Sequence, residues 1–186
     1  GTAALIELAR AYARSPTTEQ AAVRSIHTLV FLSTDGGASG GLGALRFAAR
    51  TAARSRIVAV VNLDAIAGRG RPRVEFAGDR PRSAPATLVA TASARIREET
   101  GVAPGRTDLL GQLVDLAFPF TLYEQGPFVA RGIPAVTLTT GGSRPASGFG
   151  DTATRLNAKR LARMGRAAQE LLGSLDQGLE IGRAHV

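Results

Sequence analysis

With 186 residues, 44% of them hydrophobic, the chain is long enough for one domain with a buried core. The absence of cysteine excludes disulfides and thiolate metal sites, and no apolar run approaches the ~20 residues that a membrane span needs. The net charge of +8 comes from scattered arginines without the interleaved aromatic residues of a nucleic-acid-binding surface, so we expect no nucleic-acid partner.

The spacing of apolar residues divides the chain into alternating helices and strands. Helices are predicted, in chain order, over residues 2–13, 41–54, 85–100, 109–116 and 157–175. Strands are predicted over residues 26–33, 57–63, 73–77 and 133–139. This alternation predicts an α/β sandwich around a mostly parallel central sheet. The loops that follow the strands should then meet along one edge of the sheet, where open α/β sheets form their sites.

The most specific motif follows the first predicted strand. Residues 29–44, LVFLSTDGGASGGLGA, read as a buried strand, a glycine-rich turn and the start of a helix. The segment resembles the M28 family of zinc aminopeptidases, in which two successive glutamates stand in this turn. The first is the family's general base and the second binds zinc, and the resemblance assigns Gly37 and Ala38 to these positions. Neither side chain can take a proton or bind a metal.

Other segments extend the resemblance over most of the chain. Residues 1–10 resemble the helix that follows the family's Asp-Asn-x-Ser-Gly motif, so we expect the domain to be truncated at its N-terminus. Residues 60–64, VVNLD, resemble the strand that ends in a zinc-binding aspartate, and Asp64 matches that ligand. The fold that the resemblance implies is the three-layer, zinc-exopeptidase-like α/β sandwich.

The second half of the chain carries the remaining motifs. Residues 123–128 and 132–136, YEQGPF and GIPAV, resemble Ser-Asp-His-x-Pro-Phe followed by Gly-Ile-Pro-Ala. Asp151 matches the aspartate of the family's His-Thr-Pro-x-Asp-Thr motif, and the histidine of that motif falls near Ser147. Of the zinc ligands that the family would have within this chain, only Asp64 remains.

These substitutions predict a degenerate dizinc site. We expect a non-catalytic module that binds a peptide or small ligand in its cleft, with no cofactor in this chain and with Asp64 as a vestigial metal ligand. The alternative is an active zinc-dependent aminopeptidase or other metallo-hydrolase that takes ligands from an upstream segment. A more distant alternative is a serine hydrolase, because residues 37–41 match G-x-S-x-G with Ser39 as nucleophile. The only downstream histidine for that mechanism is His185.

Five polar residues are candidates for the cleft: Asp35, Glu124, Gln125, Ser147 and Asp151. Asp35 is expected to accept hydrogen bonds from N–H groups of the glycine-rich loop, and Asp64 to bond loop amides or an arginine. Asp151 is expected to cap the closing helix. His27 lies at the far end of its strand from the loop and is expected to be structural. The glycines could also cradle a phosphate, but no Walker-type lysine follows them.

The C-terminal end has no pattern of its own. The apolar stripe of the closing helix stops before Gly178, which is expected to end the helix. We therefore predict a peptidase-like domain over residues 1–178 and a non-native tail over residues 179–186. The resemblance to the M28 family implies an extracytoplasmic or membrane-anchored location.

Overall fold

The computed structural model describes residues 1–13, 27–78, 82–105, 121–142, 154 and 156–183. Its helices are α1 (Thr2–Ala13), α2 (Leu42–Arg50), α3 (Ala86–Thr100), α4 (Gln125–Val129) and α5 (Ala158–Arg183). Its strands are β1 (Val60–Asp64), β2 (Arg73–Glu75) and β3 (Ala135–Thr139). Two 3₁₀ turns, Gly37–Ser39 and Arg54–Arg56, flank α2. The helix predicted over residues 109–116 lies outside the described residues.

In the described ranges the strands form one mixed sheet in the order β1-β3-β2. β1 pairs in parallel with β3, so that Asp64 lies opposite Thr139 at the carboxyl ends of the two strands. β2 pairs antiparallel with the other edge of β3. These strands therefore do not make a mostly parallel sheet. Residues 65–72, which join β1 to β2, are fewer than the roughly dozen residues that a parallel crossover requires.

The segment before the glycine-rich loop is not a strand, although the sequence predicts one over residues 26–33. Residues 27–34 have no regular secondary structure, and Val30 and Leu32 are 72% and 40% exposed. A strand needs hydrogen bonds to a neighbour that is distant in sequence, and a local apolar run cannot supply that information. Among the described residues, the strand that pairs with β1 is β3, not this segment.

Helices cover both faces of the sheet. On one face, Val136 and Leu138 of β3 pack in a core cluster with residues of α1, α3 and α5. On the opposite face, Ala135 packs with Phe128 of α4 and Ala48 of α2. Successive side chains of a strand point to opposite faces, which explains how neighbouring residues of β3 enter different clusters. The architecture is therefore α/β, with helices on either side of a small sheet.

The closing helix, α5, runs to Arg183 and so passes Gly178, where the sequence predicts its end. A glycine within a helix costs only about 1 kcal/mol relative to alanine, and α5 already contains Gly165 and Gly173. Its predicted inward stripe is confirmed for Met164, Ala168 and Leu171, which are buried. No helix within the described ranges is long and apolar enough to cross a membrane.

We propose that residues 179–186 are dispensable for folding. Up to Gly178, where the description of burial along α5 ends, the last buried residues are Leu171 and Asp176. Deleting residues 179–186 should change the free energy of unfolding by no more than about 0.5 kcal/mol. Urea denaturation of the two proteins measures the difference. Truncation after Glu170, which removes Leu171, is the positive control, and a loss of several kcal/mol from the shorter deletion would contradict the proposal.

Candidate functional site

The carboxyl ends of β1 and β3 meet at one edge of the sheet. Asp64 ends β1, and the next residue, Ala65, has a φ angle of 47°. This left-handed conformation is uncommon for residues with a Cβ atom and recurs at functional sites. Thr140, which follows β3, donates a side-chain hydrogen bond to the carbonyl oxygen of Ala65. The loop after β1 is thereby tied to the end of β3.

The glycine-rich loop contains three glycines with left-handed backbones: Gly36, Gly40 and Gly41 have φ angles of 72°, 76° and 69°. Glycine reaches this region without the steric penalty of other residues. Asp35 holds the start of the loop, because its Oδ1 accepts a hydrogen bond from the backbone N–H of Gly36 at 2.6 Å. The expectation that Asp35 accepts hydrogen bonds from the loop is confirmed for the N–H group of Gly36.

The loop packs against Glu124. A Cβ atom built on Gly37 would lie 3.2 Å from Oε1 of Glu124, and one built on Gly41 would lie 3.4 Å from its Cα atom. About nine in ten contacts of real Cβ atoms are longer than the one at Gly37, whereas the contact at Gly41 is an ordinary van der Waals distance. The place that the resemblance assigns to a catalytic glutamate is therefore next to a carboxylate from another part of the chain.

A hydrogen bond positions Glu124, and burial and a nearby charge shift its pKa. Thr34 Oγ1 donates to Glu124 Oε1 at 3.0 Å. Burial raises the pKa of Glu124, the hydrogen bond from Thr34 opposes this increase, and the negative charge of Asp64 adds to it. The structure thus brings Gly37, Glu124 and Asp64, which the sequence singled out, into one site, and it adds Thr34 to them.

Replacing Glu124 with glutamine should make stability less dependent on pH. The raised pKa means that the folded state binds the proton of Glu124 more tightly than the unfolded state. The contribution of this group to folding is therefore complete below its unfolded pKa and is lost as the pH rises through its folded pKa. Glutamine can accept the same hydrogen bond from Thr34 without a charge.

Urea titrations at about pH 4 and about pH 7 test this expectation. The free energy of unfolding of Glu124→Gln minus that of the wild type should be larger at about pH 7 than at about pH 4. Glu98→Gln is the matched control, because Glu98 is exposed on α3. An identical pH profile for Glu124→Gln and the wild type would show that burial does not oppose ionisation at this position.

Tyr123, the residue before Glu124, is fixed to the end of β3. Its hydroxyl donates to the carbonyl oxygen of Gly142 at 2.8 Å. Burial and, to a smaller extent, the charge of Glu75 raise the pKa of Tyr123 to about 12. The phenol therefore keeps its proton at neutral pH and remains a hydrogen-bond donor.

Gln125, the residue after Glu124, is fully buried. Its Nε2 donates to the carbonyl oxygen of Ala77 at 3.0 Å and to Thr121 Oγ1 at 3.3 Å. Its Oε1 accepts a hydrogen bond from Thr137 Oγ1 at 2.6 Å. Gln125 therefore belongs to the core and not to the cleft, and it fastens the start of α4 to β3.

A cavity of about 560 Å³ extends from this site. Its walls come mainly from residues 27–34 and from residues 51–63, which include most of β1, with contributions from α1, α2 and α5. Glu124 and Thr34 line it near the glycine-rich loop, and His27 and Asp176 line it at the far end of residues 27–34. His27 Nδ1 lies 3.0 Å from Asp176 Oδ1, which also accepts a hydrogen bond from the backbone N–H of His27. This pairing agrees with a structural role for His27.

The zinc centre that the resemblance implies does not fit the donor groups of the described residues. Gly37 and Ala38 supply no ligand atom. Within the described ranges, no three His, Cys, Asp or Glu residues are grouped so that they could hold a metal ion. A zinc site needs three or four protein ligands that converge on one point. Ser147 and Asp151, the other candidates, lie outside the described residues.

Sequence reasoning did not single out Thr34, Tyr123 or Asp176. Thr34 and Tyr123 are direct neighbours of the candidates Asp35 and Glu124, and that adjacency is the one signal that points to them. Asp176 is 149 residues from His27, and nothing in the pattern of α5 connects the two. These contacts depend on the folded arrangement of distant segments.

Comparison with known proteins agrees with the motifs. The family model described as Peptidase family M28 matches residues 1–172. No curated protein matches the sequence significantly. The matched range contains the glycine-rich loop, Asp64 and Glu124, and thus every described part of the site. The chain belongs to peptidase family M28.

Proposed function

We propose that this M28-family domain binds a peptide or peptide-like ligand at the strand-end site and does not hydrolyse it by the family's dizinc chemistry. The proposal rests on Gly37. At the position of the family's general base the chain has no side chain, and the adjacent volume is taken by the carboxylate of Glu124, 3.2 Å from a Cβ atom built there. A glutamate at position 37 would start against this carboxylate, so the end of the Glu124 side chain would have to move.

The cavity supports a binding role. Its volume of about 560 Å³ lies within the range of about 300–1,000 Å³ for small-ligand sites. Apolar side chains of β1 and residues 27–34 form much of its wall, while Glu124 and Thr34 supply polar groups near the loop. Such a site suits a ligand with an apolar body and one polar or positively charged group.

The proposal also concerns the fold of the whole domain. M28 membership implies a zinc-exopeptidase-like α/β fold. We propose that the three-layer, mostly parallel form of that fold describes residues 1–178 as a whole. The parallel pair of β1 and β3, with helices on both faces, supports this proposal.

Binding can be tested by calorimetric titration with the tripeptide Leu-Leu-Leu. The domain should bind it, and Ala59→Phe, which places a ring in the cavity wall, should weaken binding at least ten-fold. Ala59 lines the cavity. Ala90→Phe is the matched control, because Ala90 is exposed on α3. Absence of measurable binding to the wild type, or equal effects of the two substitutions, would contradict the proposed role.

Restoring glutamates in the loop should not produce a peptidase. In Gly37→Glu/Ala38→Glu the position matched to the family's histidine is still serine, Ser147, so one zinc would lack a ligand. We expect no hydrolysis of leucine p-nitroanilide by this variant in excess zinc. An active M28 aminopeptidase in the same assay is the positive control. Robust turnover that a chelator abolishes would contradict this prediction, because it would mean that the substitutions at 37 and 38 alone account for the loss of activity.

The alternative is an active metallo-hydrolase with ligands from an upstream segment. The observation that favours it is the electrostatic coupling of Asp64 and Glu124, two carboxylates of the kind that bind metals. Metal analysis of the full-length protein, purified without chelators, distinguishes this metallo-hydrolase from the non-catalytic binding domain. About two zinc ions per chain would favour the metallo-hydrolase.

A serine hydrolase is less well supported. Ser39 is exposed at the end of the 3₁₀ turn. His27, the histidine within the described residues, is bound to Asp176 at the far end of the cavity. The residues described near Ser39 thus offer no imidazole that could take its proton.

A further inference from the structure

We infer that Glu124 has taken the place of the acidic residue missing from the glycine-rich loop, so that this site presents its carboxylate from the segment before α4. The steric coupling between residues 37 and 124 does not depend on the proposed function, whereas contact of Glu124 with a ligand rests on the proposed binding function.

Gly37 differs from the other glycines of the loop in what a side chain at its position would meet. Gly36, Gly40 and Gly41 have left-handed backbones that favour glycine, whereas Gly37 does not. At Gly43, a Cβ atom would meet the backbone of Asp35 at 2.5 Å. At Gly37, the close contact of an added Cβ atom is with the carboxylate of Glu124. The backbone conformation at 37 therefore does not itself require glycine, and the neighbour that a side chain there would meet is Glu124.

The side chain of Glu124 is long enough to reach both Thr34 and the glycine-rich loop. Its Oε1 receives the hydrogen bond of Thr34 at 3.0 Å, and its Cγ atom lies 3.5 Å from a Cβ atom built on Gly41. The Glu124 side chain thus runs along the glycine-rich loop, with its Cα and Cγ atoms near Gly41 and its carboxylate near Gly37. In the M28 motif matched by residues 123–128 this position is an aspartate, which is one methylene shorter and would place its carboxylate farther from Thr34 and Gly37.

A second acidic side chain at position 37 would crowd and repel the carboxylate of Glu124. A glutamate at 37 would start 3.2 Å from the existing carboxylate and would add a negative charge near Glu124 and Asp64. Like charges in a partly buried site repel strongly, and overpacking adds strain. The identities of residues 37 and 124 are therefore coupled.

A double-mutant cycle on the full chain tests the coupling. Gly37→Glu should lower the melting temperature much more than Ser39→Glu, the matched control, because Ser39 is exposed on the same turn. In a Glu124→Ala background, Gly37→Glu should lose most of its effect on melting. If the loss caused by Gly37→Glu is the same with and without Glu124, the inference is wrong.

Titration with Leu-Leu-Leu tests the contact with ligand. Glu124→Ala should weaken binding at least ten-fold, and Gly37→Glu/Glu124→Ala should recover part of it by returning a carboxylate from the loop. Binding that is unaffected by Glu124→Ala would overturn the ligand role of Glu124 while leaving the proposed function intact. No binding by the wild type would instead overturn the proposed function, and the melting data would still decide the coupling.

Discussion

Replacing Gln125 with alanine is expected to lower the free energy of unfolding by about 3–5 kcal/mol. The substitution leaves Thr137 Oγ1 and the carbonyl oxygen of Ala77 without the partners that they have in the wild type. Each unsatisfied buried polar group costs about 1–3 kcal/mol, and the lost side-chain volume adds a cavity. Urea denaturation measures the change, which should be among the largest for a polar residue of this domain.

Two further variants separate the lost hydrogen bonds from the lost volume. Gln125→Met keeps most of the volume but not the amide, and Thr137→Val removes the hydroxyl partner. Replacing both partners with apolar groups of similar shape is far less costly than removing one. The double variant should therefore be more stable than the sum of the single changes predicts. Strict additivity would mean that the bond between Gln125 and Thr137 contributes little.

Replacing Gly43 with alanine should destabilise the domain by an amount at the upper end of the roughly 1–3 kcal/mol for overpacking. The added Cβ atom would lie 2.5 Å from the carbonyl oxygen and 2.7 Å from the nitrogen of Asp35. These are backbone atoms, so the loop must move, and the hydrogen bond from the N–H of Gly43 to the carbonyl oxygen of Asp35, 2.8 Å long, is strained.

Gly37→Ala is the control for this prediction. The nearest atom to its Cβ is the end of the Glu124 side chain, which can rotate away more easily than a backbone can shift. Gly37→Ala should therefore cost clearly less stability than Gly43→Ala in the same denaturation experiment. If both cost the same, the close approach of Gly43 to Asp35 does not determine the shape of the loop.

Local periodicity was enough to predict that the long helices and the apolar strand β3 form, although α5 extends beyond its predicted end. The helix predicted over residues 85–100 is α3, and the strand predicted over residues 133–139 contains β3. Their apolar residues recur with the period of the element, and burial follows from that period. The strand predicted over residues 26–33 is absent because pairing with a distant strand decides such a segment.

The candidate site could be predicted only in outline. Motif positions identified Gly37, Asp64 and Glu124, since each follows or adjoins a recognisable element. The hydrogen bond from Thr34 to Glu124 joins residues 90 positions apart, and no spacing rule connects them. The same is true of the burial of Gln125, whose polar side chain gives no sign in the sequence that its partners lie on β3 and after β2.

The anchoring of Gln125 has a consequence for amide exchange. Its side chain joins α4 to β3, whose residues are all buried, so the backbone next to Glu124 should exchange its hydrogens only when the domain opens globally. Thr34 belongs to residues 27–34, which lack a strand ladder and should exchange through small local openings. We therefore expect the backbone around Glu124 to be the rigid side of the site and residues 27–34 to be the side that can change its conformation.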